Sequence, residues 1–331
     1  MKPSALSAAG LATLAITGLS AGACALDAQS ARAEGMFMRT MPVTGTVDLE
    51  VRTGSGTIQI RTGGSEAVEI RGRVRCWEAW SGASAEECVR RIEADPPVTQ
   101  SGNVIRLDSR AEWWSSDNAS VSYEVTVPID SRVRTRSGSG DQVVGGVRGD
   151  VDARAGSADI RIEGVGGNIR ASTGSGHIDI QSSRGSVVAH SGSGAINTTS
   201  VGGDLEVHTG SGRVSVANGG DGRTVVTTGS GDINVRQAKG SLRLRAASGD
   251  VVVGGDPLDA WHVTTASGSV TLSVPPDARF DLDARSSSGR LDSQHPITVL
   301  GEFSRRQLHG KVRGGGPQVD VSTASGSIRI R

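Results

Sequence analysis

The sequence predicts an all-β chain wound as a parallel β-solenoid, or β-helix, of about 18-residue two-strand coils with a small helix-containing N-terminal cap. Three observations carry that prediction. One short phrase recurs: Thr or another small residue, Gly or another small residue, Ser-Gly, then two aliphatic residues separated by one, as in Thr173-Gly174-Ser175-Gly176-His177-Ile178-Asp179-Ile180. With the last small residue of each phrase as position 0, the copies fall at 56, 140, 158, 176, 194, 212, 231, 249, 268, 289 and 326, and from 140 to 268 the step is always 18 or 19 residues. Such a period belongs to stacked coils rather than to a globular enzyme. Finally, 47 glycines and 3% aromatics suit many tight corners and not one large core.

Superposed on one another, the copies expose aliphatic columns. Position −7 holds Leu49, Val133, Val151, Ile169, Val187 and Leu205, and position −5 holds Val51, Ala153, Ala171, Ala189 and Val207. Position +2 holds Ile58, Ile160, Ile178, Ile196, Val214 and Ile233, and position +4 holds Ile60, Val144, Ile162, Ile180 and Val235. The columns lie two apart within each strand, so one strand face points inward and the other to water. One coil alone buries four aliphatic side chains at about 1.5–3 kcal/mol each. Ordering its backbone costs about 1–2 kcal/mol per residue, so a lone coil cannot fold and stacking is obligatory. A β-meander of equal hairpin length is the rival; two alternating corner types, Thr-Gly-Ser-Gly and pairs such as Gly166-Gly167 or Gly202-Gly203, favour parallel stacking.

Taken from the start, residues 1–33 read as a signal peptide: Lys2 is the basic region, Leu6 to Leu19 the apolar stretch, and small residues follow. Cleavage after Ala23 and cleavage after Ala33 both satisfy the small-x-small pattern. A third reading makes Cys24 the lipidated first residue, because Leu19-Ser20-Ala21-Gly22-Ala23-Cys24 resembles a lipobox whose Leu is two places early. The expected location is therefore periplasmic or cell-surface, soluble or anchored through Cys24, with no transmembrane helix once the signal is removed. Export makes Cys76 and Cys88 a disulfide pair, contributing about 3 kcal/mol by loop entropy.

Residues 43–132 hold the first coil and the cap. Ser84 to Glu93 reads as a short helix with Ser84 as N-cap and Cys88, Val89 and Ile92 on one side. Strands are expected at Val104 to Asp108 and Val121 to Val127. Trp77, Trp80, Trp113 and Trp114 fall in this segment, either as its own small core or, at Trp113-Trp114, as an aromatic platform for sugars. Residues 133–331 are the solenoid proper, interrupted from Gln294 to Gly316 before the last coil.

Tyr123-Glu124-Val125-Thr126-Val127-Pro128 running into Ser137-Gly138-Ser139-Gly140-Asp141, and the closing Val319-Asp320-Val321-Ser322-Thr323-Ala324-Ser325-Gly326-Ser327-Ile328, resemble the bacterial "putative adhesin" family. That resemblance covers most of the chain from about Val43 to Arg331. It implies an exported or membrane-anchored β-strand-repeat domain of unknown function, with no catalytic residues to carry over.

Lysine plus arginine balance aspartate plus glutamate at 35 each, so no basic excess points to nucleic acid. The Gly-rich corners lack the Lys-Ser/Thr and the strand-to-helix setting of a phosphate loop. Residues at +1 run Asp141, Asp159, His177, Ala195, Arg213, Asp232, Asp250, Ser269 and Arg290. A calcium ladder needs oxygen ligands on successive turns, which Arg213 and His177 interrupt, so no metal or other cofactor is expected. An outward column at −4 is more informative: Arg52, Arg136, Arg154, His190, His208, Arg245 and Arg285 would share one face. It is either a solvated face neutralised by −6 residues such as Asp152 and Glu206, or a strip that docks an anionic glycan or envelope lipid headgroups. The function expected is an exported, non-enzymatic, adhesin-like binding or scaffold protein of the cell envelope. The alternative is a polysaccharide-active enzyme on a β-helix, for which Asp179 and Asp232 stand three coils apart, about 14 Å, too far for paired acid–base work.

Overall fold

The computed structural model describes residues 32–64, 66–78, 84–108, 119–300, 304 and 306–331. Residues 1–31, and with them the expected cleavage at Ala23 and lipidation at Cys24, lie outside the described residues. Trp80, Trp113 and Trp114 also lie outside the described residues. Among the described residues, no helix is long and apolar enough to cross a membrane.

Two long sheets, of 14 and 15 strands, face one another. Each coil contributes one strand to each sheet. In the central coil, Ile169–Thr173 lies in the 15-stranded sheet, the Thr173–Gly176 corner crosses over, and Ile178–Ser183 lies in the 14-stranded sheet. Neighbouring coils pair parallel and in register, Ile160 on Ile178 on Ile196 and Val151 on Ile169 on Val187. The four expected columns are the core: Ile178, Ile180, Val187 and Ala189 are fully buried. At the first regular coil the +2 position is Gln142, buried and donating to Ser137 Oγ (2.8 Å) and to the Arg154 carbonyl (2.6 Å).

Two further inward columns widen that core. Position −3 carries Thr53, Thr173, Ser191, Thr209, Thr228, Thr265, Ser286 and Thr323, all buried. Each hydroxyl can bond in two directions at a corner where the backbone turns away from its sheet. Thr173 donates to the Ala158 carbonyl (2.9 Å) and accepts from the Gly176 amide (3.2 Å). Ser191 does the same with Gly176 and Gly194, and Thr209 with Gly194 and Gly212. So the Thr of the repeated phrase satisfies buried backbone groups of two coils at once. The marker itself is glycine because a Cβ on Gly194 would lie 1.7 Å from the Gly176 carbonyl oxygen, and one on Gly231 1.8 Å from that of Gly212. Ala158 is the exception, and its coil also lacks the hydroxyl, having Ala155 at −3. Position +7 closes the second strand with Val147, Val165, Ser183, Val201 and Ala238, all buried. The residue before it turns left-handed, at Gly146 and Gly164 but also at Ser182, Ser200 and Gln237.

Stacking order departs from chain order at both ends. At one end Val104–Asp108 and Ala119–Val127 form a coil beyond Val47–Thr53 and Ile58–Thr62, so the first coil in sequence is the second in space. At the other, Gln318–Thr323 and Ile328–Ile330 insert between the Trp261 coil and the Phe280–Ser286 coil. Gln307–Val312 and Ile297–Val299 then run antiparallel along that end.

The cap is larger than the sequence suggests. Arg32–Pro42 and Ala67–Trp77, neither of them expected, extend the 14-stranded sheet as antiparallel strands, and Val98–Ser101 does so for the other sheet. Ala33, one of the two cleavage candidates, pairs with Cys76 inside that extension. The expected helix spans Ala85–Ala94, with Ser84 accepting the Glu87 amide and Ala85, Cys88, Val89 and Ile92 buried. Its buried face lies against these added strands: a Cβ on Gly35 would meet Val89, and Glu93 accepts the Met36 amide. Cys76 and Cys88 are joined, tying helix to strand.

Two outcomes test this account. Thr209→Val keeps the shape at −3 but strands the Gly194 carbonyl and the Gly212 amide, so it should lower stability in urea by about 1–3 kcal/mol, whereas Thr209→Ser should cost much less. Equal midpoints for both variants would remove the hydroxyl from the account. Non-reduced, alkylated protein from oxidising expression should yield the Cys76 and Cys88 peptides linked by mass spectrometry; recovery of two alkylated thiols would contradict the bond.

Candidate functional site

Because the side chains alternate along each strand and the coils stack in register, every −4 residue emerges on the outer face of the 15-stranded sheet. The pairing runs Arg52, Arg136, Arg154, Ser172, His190, His208, Thr227 and Arg245, and then through Thr264 and Ser322 to Arg285. Arg136, Arg154, His190, His208 and Arg245 are thus brought onto one face, at about 4.8 Å per coil. The −6 column beside it supplies partners from the same strands. Arg154 lies 3.0 Å from both carboxylate oxygens of Asp152, Arg285 pairs with Asp283, and Arg52 bonds Glu50 with Asp108 at 3.6 Å. Arg136 and Arg245 make no ion pair to any described residue.

Two histidines form the middle of the column. The rings of His190 and His208 stack with centroids 4.9 Å apart and 8° between planes, and His208 Nε2 lies 2.8 Å from Glu206 Oε1. Partial burial first, and then the positive potential of His208 and Arg170, hold the His190 pKa below its ordinary value, with Glu206 opposing. The hydrogen bond from His208 chiefly holds the Glu206 carboxyl below the usual carboxylate range. At Glu50, burial pushes upward but is outweighed by the hydrogen bond and charge of Arg52 with the charges of Arg136 and Arg106.

Alongside the column the small corner residues leave an open groove. One stretch, about 470 Å³, runs from Ala155 to Thr227 past His190 and His208. Another, about 670 Å³, runs from Thr227 to Ala324 past Arg245 and Arg285. This depression has no signature in the sequence beyond the small residues at −2.

The +1 residues weighed as a calcium ladder have a different task. Asp141 accepts the Asp159 amide (3.1 Å), Asp159 the His177 amide (2.7 Å), and His177 Nδ1 the Ala195 amide (3.0 Å); Asp232 and Asp250 continue this along the stack. The second corner repeats the device with Asp150, Asn168, Ser186 and Asp204. Any short acceptor serves, which is why histidine and serine can stand among the aspartates. Asp179 and Asp232 are likewise engaged, Asp179 with Arg161 (3.5 Å) and Gln181, Asp232 with Arg213 (3.5 Å).

The sequence profile described as Toastrack DUF4097 matches residues 166–331, half of the chain. A crystal structure of a "putative cell adhesion protein" from Clostridium sporogenes is similar over 91% of this chain and 99% of that one, at 12% identity and a TM-score of 0.23. No curated protein matches the sequence.

His190 gives this face a pH signature. Its folded pKa lies below the unfolded value of 6.5, so between those two values the unfolded chain binds more protons. Its contribution to stability is therefore complete above pH 6.5 and falls as pH descends through the lowered folded value. Glu206 acts in a separate window: the stabilisation is present above 4.5 and lost as pH falls through its lowered folded pKa. His190→Gln should flatten the dependence of the urea midpoint on pH just below 6.5, while the more acidic limb should persist in weakened form, because the His208 hydrogen bond to Glu206 remains and only the His190 charge is lost. An unaltered slope in the upper window would contradict the assignment.

Proposed function

We propose that this chain, which belongs to the Toastrack DUF4097 family of adhesin-like β-solenoids of unknown function, is exported and acts in the cell envelope as a rigid, non-enzymatic binding or scaffold element. The observation that carries the reading is the −4 column: arginines and histidines from many separate coils emerge on one side of one sheet, with Arg245 making no ion pair to any described residue and Arg136 acting on Glu50 only through its charge. Such a face attracts anions where its cations are not matched by the −6 carboxylates, and its partner class is an anionic glycan or the headgroups of envelope lipids.

Export is supported by the basic and apolar leader and by a disulfide that needs an oxidising compartment. Cleavage after Ala23 is favoured over cleavage after Ala33, because the latter would remove Arg32 and Ala33 from their pairing with Trp77 and Cys76. Cleavage after Ala23 also makes Cys24 the first residue, so the soluble and lipid-anchored readings share one cut and differ only in acylation.

Replacing Arg136, Arg154, His190 and His208 together by Ser leaves every inward column untouched, so folding should survive. Binding to a panel of acidic glycans and to vesicles with anionic lipid should be lost or strongly weakened. Wild-type binding should fall with salt, since exposed charges are screened beyond about 8 Å at physiological ionic strength. It should strengthen on acidification, with the His190 share arriving below pH 6.5 because its pKa is lowered. A folded quadruple variant that binds as tightly as wild type would leave the column a solvated face only.

A further inference from the structure

The two groove stretches meet at Thr227 and lie end to end along the stack as a shallow, open channel. From Ser172 to Arg285 the −4 wall of this channel crosses seven coil-to-coil pairings, about 34 Å at the spacing of paired strands. Along it the chemistry changes. The first half presents hydroxyls and the stacked imidazoles; the second presents Arg245 and, paired with Asp283, Arg285 either side of Thr264 and Ser322, whose hydroxyls bond each other at 3.3 Å. A compact anion would be satisfied by one arginine and would gain nothing from the rest. Duplex nucleic acid draws its affinity from many phosphate contacts, and two arginines in about 34 Å are too few. A nucleic-acid single strand takes much of its affinity from stacking on aromatic faces, and neither stretch is lined by Trp, Tyr or Phe. What fits a one-dimensional ladder of hydroxyl, imidazole and sparse guanidinium groups is a chain rich in hydroxyls with widely spaced negative charges.

We propose that this channel binds a single linear acidic polysaccharide lying along the stack, its anionic groups against Arg245 and Arg285 and its hydroxyls against Ser172, Thr227, Thr264 and the histidine pair. The proposal rests on the binding role given above and narrows it to a ligand class and an orientation. Successive sugars meet successive coils, so each added sugar adds contacts until the chain outruns the channel.

Oligogalacturonates of graded length, from the dimer to chains longer than the channel, provide the test by calorimetry on the full mature chain. Affinity should climb with length and then level off. Arg245→Ser with Arg285→Ser should weaken long oligomers by about five- to thirtyfold. Ala266→Trp, at an exposed floor position that already carries a Cβ, should weaken the same oligomers without removing a charge. Ala247→Trp, one coil away, repeats the block should the first variant fold poorly, with circular dichroism and melting as controls. Equal affinity for short and long oligomers, indifference to both tryptophans, or equally tight binding of matched-length polyphosphate or single-stranded DNA would overturn the proposal. Any of these outcomes combined with lost binding in the Arg136, Arg154, His190 and His208 variant would leave the broader face standing and remove only the channel. Absence of binding to any oligogalacturonate would overturn the ligand class.

Discussion

Where each coil crosses from one sheet to the other, its marker glycine lies so close to the carbonyl of the marker below that no side chain fits between them. The hydroxyl at −3 sits beside this contact and bonds the amide of its own coil and the carbonyl of the previous one. Amides and carbonyls buried at a turn have no sheet partner, and leaving them unpaired costs about 1–3 kcal/mol each. Glycine for approach and Thr or Ser for satisfaction therefore occur together in most coils, although Gly249 keeps the close approach with Ala246 at −3. These residues allow the corner to follow the rise that parallel strand pairing sets, and from in-register pairing follow the aliphatic columns inside and the −4 and −6 columns outside. The residue pattern of the outer face is thus tied to packing at the corner.

The regular coils were legible because period two within a strand and period eighteen between coils leave one arrangement of faces. The helix was legible from Ser84 and the spacing of Cys88, Val89 and Ile92. Arg32–Pro42 was hidden for a physical reason: as the edge strand it buries only Phe37 and carries no corner phrase, whereas Ala67–Trp77 does alternate buried Val68, Ile70, Val74 and Cys76 with Glu69, Arg71, Arg73 and Arg75 and went unread because it too lacks the corner phrase. Stacking order at the ends was hidden for another. A column of Val, Ile and Leu lets almost any coil sit on any other, so the order is decided by connection lengths and by what seals the end.

The −4 face was also visible in sequence, including its neutralising partners two residues earlier. Its groove was not, since a depression made by Gly174, Gly192, Ala247 and Ala266 appears only once the corners are stacked. The aspartates at +1 looked like ion ligands because aspartate recurs there. Their periodicity has a simpler origin: in most coils the +1 amide is left unpaired by its sheet at the corner, and the short acceptor below reaches it, the run breaking at Ala195 and Arg213.

The inserted coil bears on how the molecule is made. Gln318–Ile330 leaves the ribosome, and any export channel, after Phe280–Ser293, yet lies between that segment and the Trp261 coil. Coils up to Trp261 can add one at a time as they emerge, each templated by the one before. Phe280–Ser293 reaches its final place only with the later segment between it and the Trp261 coil, so this end of the solenoid is completed out of chain order. Until then the edge at Trp261–Ser273 stays open to whatever strand is nearest. Growth of the stack is progressive for most of its length and closes like a clasp at the end, which makes that edge the place where a pause in synthesis or a cut chain exposes the protein to mispairing.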